Sequence, residues 1–238
     1  ITFSATGSNP ESGDLAASAT FEVGGSQLFI TLTNAGPTAS VQSDLLSGVF
    51  FDLENLNELT RISATFDGGL VVEGADPTTV FYDGTDMPLD VGTEWAARDD
   101  LDGTYFRGAQ YGIGSSGYGE DPNDVFGPEH RFDDNEDGNV LDWPASPDGA
   151  NYGMASALPS DGINGLGDVP VTVGGSVEFV FDVTTGSLSV DDISNVNFQY
   201  GTSPTDPNII VPEPSTMSLL GIGIAGFMAV GKIRRKRT

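Results

Sequence analysis

The chain has 238 residues, of which 38% are hydrophobic and 18% charged, and its formal net charge at pH 7 is −26. It contains no cysteine, which excludes disulfides, thiol catalysis and cysteine-bound zinc. Because so negative a protein repels a phosphate backbone, we expect no nucleic acid partner.

The charge is divided unevenly along the chain. Residues 1–211 hold 4 basic and 34 acidic residues, a net of −30, whereas residues 212–238 hold 5 basic and 1 acidic residue, a net of +4, and the two sum to −26. Since four cations cannot pair with 34 carboxylates, most of the carboxylates must be solvated or bound to cations. The two interpretations are a soluble acidic surface and a set of clusters of which some bind Ca²⁺.

Alternating apolar residues predict β-strands in the first 82 residues and again after residue 176. The alternation over residues 17–23 and 28–32, with Gly24 and Gly25 between them, predicts a hairpin. Further strands are predicted at Ile1–Ala5, Leu46–Leu53, Thr60–Phe66, Val71–Glu73, Thr79–Tyr82, Val177–Val183 and Ile193–Tyr200. No body segment sustains a helical period, so we predict an all-β fold: an antiparallel β-sandwich ectodomain over residues 1–208, with long Gly/Asp-rich loops.

The middle of the body, residues 83–170, is rich in Gly, Asp and Pro and weak in alternation. We interpret it as a loop-rich insertion in the sandwich, with a separate small domain as the alternative. Residues 112–117 match G-x-G-x-x-G without a strand–helix context, which predicts a flexible loop. The region also holds both tryptophans, Trp95 and Trp143, which either contact a glycan or pack over the sheet.

One acidic stretch in this region has the spacing of a calcium loop. Asp133, Asn135 and Asp137 stand at positions one, three and five, and Gly138 follows at position six. Position twelve is a proline rather than a glutamate, so we predict an open structural Ca²⁺ site that uses Asp133, Asn135, Asp137, Asn139 and Asp142. A solvated acidic turn is the alternative.

Catalytic motifs have little support, and we expect that the protein is not an enzyme. His130 is the only histidine, so a multi-histidine metal site cannot form and any Ser-His-Asp triad would have to use it. No G-x-S-x-G motif is present. A glycan hydrolase needs only two suitably spaced carboxylates. With 34 acidic residues in the body, the sequence neither supports nor excludes such an enzyme.

The C-terminal segment has the composition of a membrane anchor. Residues 215–231 are uncharged and rich in Leu, Ile, Met, Ala and Gly, which predicts a short transmembrane helix. The basic residues that follow, over 232–238, predict a cytoplasmic tail and an exported body; they are Lys232, Arg234, Arg235, Lys236 and Arg237. We predict an exposed linker at 209–214, because Pro212 and Pro214 restrict the backbone and donate no N–H. We also expect a secretory signal before Ile1.

The order Pro212-Glu213-Pro214, apolar segment and terminal basic cluster resembles the PEP-CTERM sorting signal. The resemblance covers about 27 residues, with Val211 before the motif. It implies that an exosortase, a membrane enzyme, recognises and cleaves the chain near Pro212, Glu213 and Pro214. It also implies a Gram-negative bacterium that makes extracellular polysaccharide.

These observations lead to one functional hypothesis and two alternatives. The hypothesis is a structural or interaction protein, held at the inner membrane as a precursor and then delivered to the cell surface or an extracellular biofilm matrix. The first alternative is a carbohydrate-binding module for exopolysaccharide that uses Trp95 and Trp143. The second is a secreted glycan-active hydrolase.

Overall fold

The computed structural model describes residues 1–54, 58–85, 88–101, 104, 106–118, 125–126, 130–132, 150–184 and 186–212. Over these residues the chain is β-structure joined by turns, with no α-helix and with short 3₁₀ turns such as Gln42–Asp44 and Val190–Asp192. The strands are β1 (Thr2–Asn9), β2 (Gly13–Gly24), β3 (Gln27–Asn34), β4 (Leu46–Leu53), β5 (Leu59–Glu73), β6 (Val80–Tyr82), β7 (Leu89–Asp90), β8 (Ala96–Arg98), β9 (Tyr111–Gly114), β10 (Met154–Ala155), β11 (Pro170–Val183), β12 (Ile193–Tyr200) and β13 (Asn208–Ile210).

The strands fall into two hydrogen-bonded groups. In one, the order is β1-β2-β3-β11-β5, and the short β6 and β7 pair with the outer side of β5. In the other, the order is β8-β9-β4-β12-β13. The two-residue β10 joins the groups, since it pairs antiparallel with β4 and parallel with β11. Apart from β10–β11, the pairings described are antiparallel.

A common hydrophobic core lies between the two groups. The apolar positions of β2 and β3 that alternate in the sequence are buried, and so are those of β4 and β12. Phe21 of β2 meets Phe51 of β4 edge to face, with ring centroids 5.2 Å apart. The all-β class is therefore confirmed, and the contact between the groups favours the sandwich, which stays a prediction.

Some predicted strand bounds match the observed ones, and others differ. Leu46–Leu53 and Ile193–Tyr200 have the observed bounds, whereas the two strands predicted over residues 60–73 are one strand, β5. The hairpin turn lies one residue later than predicted, at Gly25-Ser26, where Gly25 has a φ of 67°. A positive φ there suits the tight two-residue turn that joins β2 to β3.

The middle region contributes strands that the alternation does not reveal. Residues 112–114, the first half of the predicted flexible loop, belong to β9 between β4 and β8, which is a correction. The reason is packing: a Cβ on Gly112 would lie 2.5 Å from Cε1 of Phe50, so glycine is required for that ring to cover the strand. Strands that contain such glycines carry no hydrophobic alternation.

Candidate functional site

The C-terminal segment leaves the body immediately after strand β13. Ile209 is buried, and the Val211 N–H donates a 3.0 Å hydrogen bond to the carbonyl of Val196. Val211 is half-buried and packs on the core, whereas Pro212 is exposed. The predicted start of the linker at residue 209 thus falls inside a strand, and Pro212, which is exposed, is the last residue that the structure describes.

Side-chain amides hold this last strand in place. Asn208 Nδ2 donates to Asn197 Oδ1 at 2.8 Å and to Gln199 Oε1 at 3.1 Å, and both acceptors belong to fully buried residues of β12. Asn197 in turn donates to the carbonyl of Phe106 at 3.1 Å. Because buried amides are costly to leave without partners, this ladder resists peeling of β13 from the body.

A groove of about 300 Å³ surrounds the point where the segment emerges. Its walls include Ile1 and Phe3 from the start of the chain and Val196, Val211 and Pro212. The Ile1 amino group donates a 2.8 Å hydrogen bond to the carbonyl of Phe21, which fixes that wall. An enzyme that cleaves near Pro212 must therefore approach a folded and well-anchored surface.

The remaining residues of the predicted sorting signal lie outside the described part of the chain. These are Glu213, Pro214 and the basic residues Lys232, Arg234, Arg235, Lys236 and Arg237, together with the apolar stretch 215–231. Among the residues that the structure describes, no helix has the length and apolar character needed to cross a membrane.

The predicted calcium ligands also lie outside the described residues. This applies to Asp133, Asn135, Asp137, Asn139 and Asp142. Within the described ranges, no group of three or more His, Cys, Asp or Glu side chains is arranged to hold a metal ion. The Ca²⁺ site therefore stays a prediction.

Trp95 belongs to the core rather than to a glycan surface. Its side chain is 0% exposed, and its ring centroid lies 5.1 Å from that of Phe179 on β11. A sugar can stack only on an accessible ring face, so the burial of Trp95 agrees with the packing alternative and not with a glycan contact at this residue. Trp143 lies outside the described residues.

A cleft of about 440 Å³ lies where β5, β8 and β9 meet. We call it the arginine cleft, because Arg61, Arg98 and Arg131 line it together with His130. The acidic residues in its lining are Glu58, Asp99 and Asp100. No local motif predicts this site, because its arginines lie up to 70 residues apart along the chain.

Strand β8 brings the three arginines together. Arg61 Nη1 donates to the carbonyl of Ala97 at 2.9 Å, and Arg131 forms an isolated β-bridge with Ala96. Arg98 is the last residue of β8, and its Nη1 donates to the carbonyl of Val125 at 2.8 Å. Arg61 and Arg131 are thus held at Ala97 and Ala96, the two residues that precede Arg98 in β8.

Arg98 and Asp100 form an ion pair at the rim of the cleft. Arg98 Nε lies 2.7 Å from Asp100 Oδ1, with the arginine side chain 23% exposed and the aspartate 68% exposed. This hydrogen bond is the main reason that the pKa of Asp100 lies below its usual value, with a smaller contribution from the positive charge of Arg98. The carboxylate therefore stays ionised in the folded protein and partly neutralises the rim.

The C-terminal signal is also found by comparison with known families. The family model of the PEP-CTERM protein-sorting motif matches residues 211–236. The match starts at Val211, the residue whose N–H makes the last backbone hydrogen bond described between the chain end and the body. No curated protein and no solved structure matches this chain significantly.

Proposed function

We propose, from the premise that this chain carries a PEP-CTERM protein-sorting motif, that it is a structural or interaction protein of a bacterial cell surface or extracellular matrix. The motif implies export and a membrane-anchored precursor that an exosortase processes. We propose further that the inner membrane holds residues 215–231 and that the basic residues 232–238 stay in the cytoplasm. After processing, the β body joins the outer envelope or an exopolysaccharide matrix.

The observation that carries the proposal is the position of the motif relative to the fold. The motif begins at Val211, and the body makes its last described backbone hydrogen bond through that same residue. Cleavage just beyond Pro212 would therefore release a body with its strands and core complete. A cleavable sorting signal is useful only if its removal leaves the remaining protein folded.

We propose no catalytic role for the β body. The support is compositional, because the chain has no cysteine and a single histidine. The carbohydrate-binding alternative cannot use Trp95, because its ring is buried. The predicted calcium ion would serve a structural role.

The test is mass spectrometry of the mature C-terminus in a native host, with and without its processing enzyme. We expect a shortened chain that ends near Pro212–Pro214 only when the enzyme is present. The double variant P212A/P214A should accumulate as the uncut precursor, whereas P207A, which changes a proline within the body, should be processed normally. An uncut chain in the cytosol of the wild-type host would contradict the proposal.

A further inference from the structure

We propose that the arginine cleft binds a small hydroxylated carboxylate, the chemistry that a uronate sugar unit presents. The three arginines that line it, Arg61, Arg98 and Arg131, are three of the four basic residues, excluding histidine, in residues 1–211. The fourth, Arg107, is absent from the lining and donates instead to Asn208 Oδ1 at 3.3 Å.

The charge of the cleft differs sharply from that of the body around it. Three arginines and three carboxylates, Glu58, Asp99 and Asp100, sum to zero with His130 neutral, whereas residues 1–211 carry a net of −30. The negative charge of the body repels an anion from most of the surface, but the charges that line the arginine cleft sum to zero and add no repulsion there. Screening at physiological salt limits the reach of the remaining acids to about 8 Å.

The guanidinium groups are positioned in advance. The hydrogen bonds of Arg61 to Ala97 and of Arg98 to Val125 and Asp100 restrict two of these side chains, and Arg131 is only 7% exposed. A planar guanidinium matches a carboxylate through two parallel N–H···O bonds. Because little side-chain freedom remains to be lost, binding costs less entropy here than at mobile surface arginines.

The rest of the lining explains the expected hydroxyl groups. Glu58, Asp99 and Asp100 offer acceptor oxygens beside the arginine donors, so a ligand that bears both a carboxylate and hydroxyls satisfies both kinds of group. The floor is formed by the buried rings of Phe51, Tyr111 and Phe181, which lower the local polarity and strengthen the charged hydrogen bonds. The volume of about 440 Å³ suits a small ligand.

Long polyanions are excluded as the preferred ligand by the charge of the body. Closely spaced charges would extend beyond the cleft over a surface rich in carboxylates, at a cost that grows with each charge. A single carboxylate, or carboxylates spaced one per sugar, avoids most of that repulsion.

Isothermal titration calorimetry on the full 238-residue chain tests this inference, with D-galacturonate as the probe. D-galactose lacks the carboxylate, and propionate lacks the hydroxyls, so these two probes separate the two halves of the proposed chemistry. We expect saturable binding of galacturonate, with galactose and propionate each at least about tenfold weaker, as expected for the loss of a charge-assisted bond. Equal affinity for galactose and galacturonate would overturn the inference, as would the absence of saturable galacturonate binding.

Arginine substitutions locate the binding. R61Q and R98Q remove one guanidinium each from partly exposed positions, and each should weaken galacturonate binding at least about tenfold while the thermal midpoint stays within a few degrees. R107Q is the matched control outside the cleft and should change the affinity less than twofold. A loss for R107Q equal to the loss for R98Q would reject the cleft as the site. The experiment needs no exosortase, so its failure and a failure of the sorting proposal are distinguishable.

Discussion

Asn9 donates a 2.7 Å hydrogen bond from its side-chain nitrogen Nδ2 to Oδ1 of Asp44, and both residues are buried. Asn9 ends β1, and Asp44 ends the 3₁₀ turn that precedes β4, so this bond joins the two strand groups. Asp44 also accepts from the hydroxyl of Ser12 and, at 2.9 and 3.2 Å, from the backbone N–H groups of Ser40 and Val41. One carboxylate thus fixes a hairpin and a turn that are some 30 residues apart.

The first prediction follows from this carboxylate. Replacing Asp44 with alanine removes the acceptor of the buried Asn9 amide and of three partly buried donors, on Ser12, Ser40 and Val41, which should lower the free energy of unfolding by roughly 2–4 kcal/mol. For a chain of this size we expect the thermal midpoint to fall by roughly 5–10 °C in calorimetry. Asp14 is an exposed carboxylate in the same hairpin, and D14A is the matched control with little expected change. Equal midpoints for D44A and D14A would contradict the assignment.

Trp95 supplies the second prediction, which concerns packing. W95A should cost about 3–5 kcal/mol in urea unfolding, because a large cavity opens beside Phe179. W95F should cost much less, since its ring still fills most of the site and the buried Nε1, which has no hydrogen-bond partner among the described residues, is removed. F81A is the control at a ring that is 54% exposed and should change stability by less than about 0.5 kcal/mol. A glycan-facing Trp95 would instead make W95A nearly neutral.

The third prediction concerns pH. The pKa of Glu73 lies above its usual value of 4.5, first because of partial desolvation and then because of the negative charge of Asp168. A raised carboxyl pKa means that ionised Glu73 opposes folding, so this destabilisation is present above the folded-state pKa and is relieved as pH falls through it. D168N should move the pKa of Glu73 downward and should add stability near neutral pH.

Carbon-13 NMR titration of the aspartate and glutamate side-chain carboxyls measures this shift. Asp83 is an internal reference, because the hydroxyl and N–H of Thr85 lower its pKa and Asp168 is not among the causes. The pKa of Asp83 should be the same in the wild type and in D168N. If the pKa of Glu73 does not change in D168N, the two carboxylates are not coupled.

The fourth prediction concerns calcium. If Asp133, Asn135, Asp137, Asn139 and Asp142 bind Ca²⁺ in the folded protein, the thermal midpoint should rise with calcium concentration and fall after chelation. D137N should abolish this response, whereas D99N, a carboxylate of the arginine cleft, should keep it. An unchanged midpoint after chelation would reject a structural ion.

The sequence alone determined the strand class, two strands in full and the sorting segment. Leu46–Leu53 and Ile193–Tyr200 were found with their observed bounds because each is a short run rich in apolar and aromatic residues, a composition typical of strands. The C-terminal motif can be predicted from the sequence because it is defined by the linear order of prolines, apolar residues and basic residues, and this order does not depend on the fold.

Only the tertiary structure decided which distant residues meet. Trp95 lies in the region interpreted as a loop-rich insertion, where the sequence left glycan contact and packing both open, and the fold buries it against β11. Arg61, Arg98 and Arg131 converge because the Arg61 side chain of β5 donates to Ala97 of β8, and because Arg131 forms a β-bridge with Ala96 of the same strand. Local periodicity predicts which face of a strand a residue occupies. Strand order and register depend instead on contacts between residues far apart in the chain. The position of the arginine cleft follows from those contacts, so the sequence pattern does not predict it.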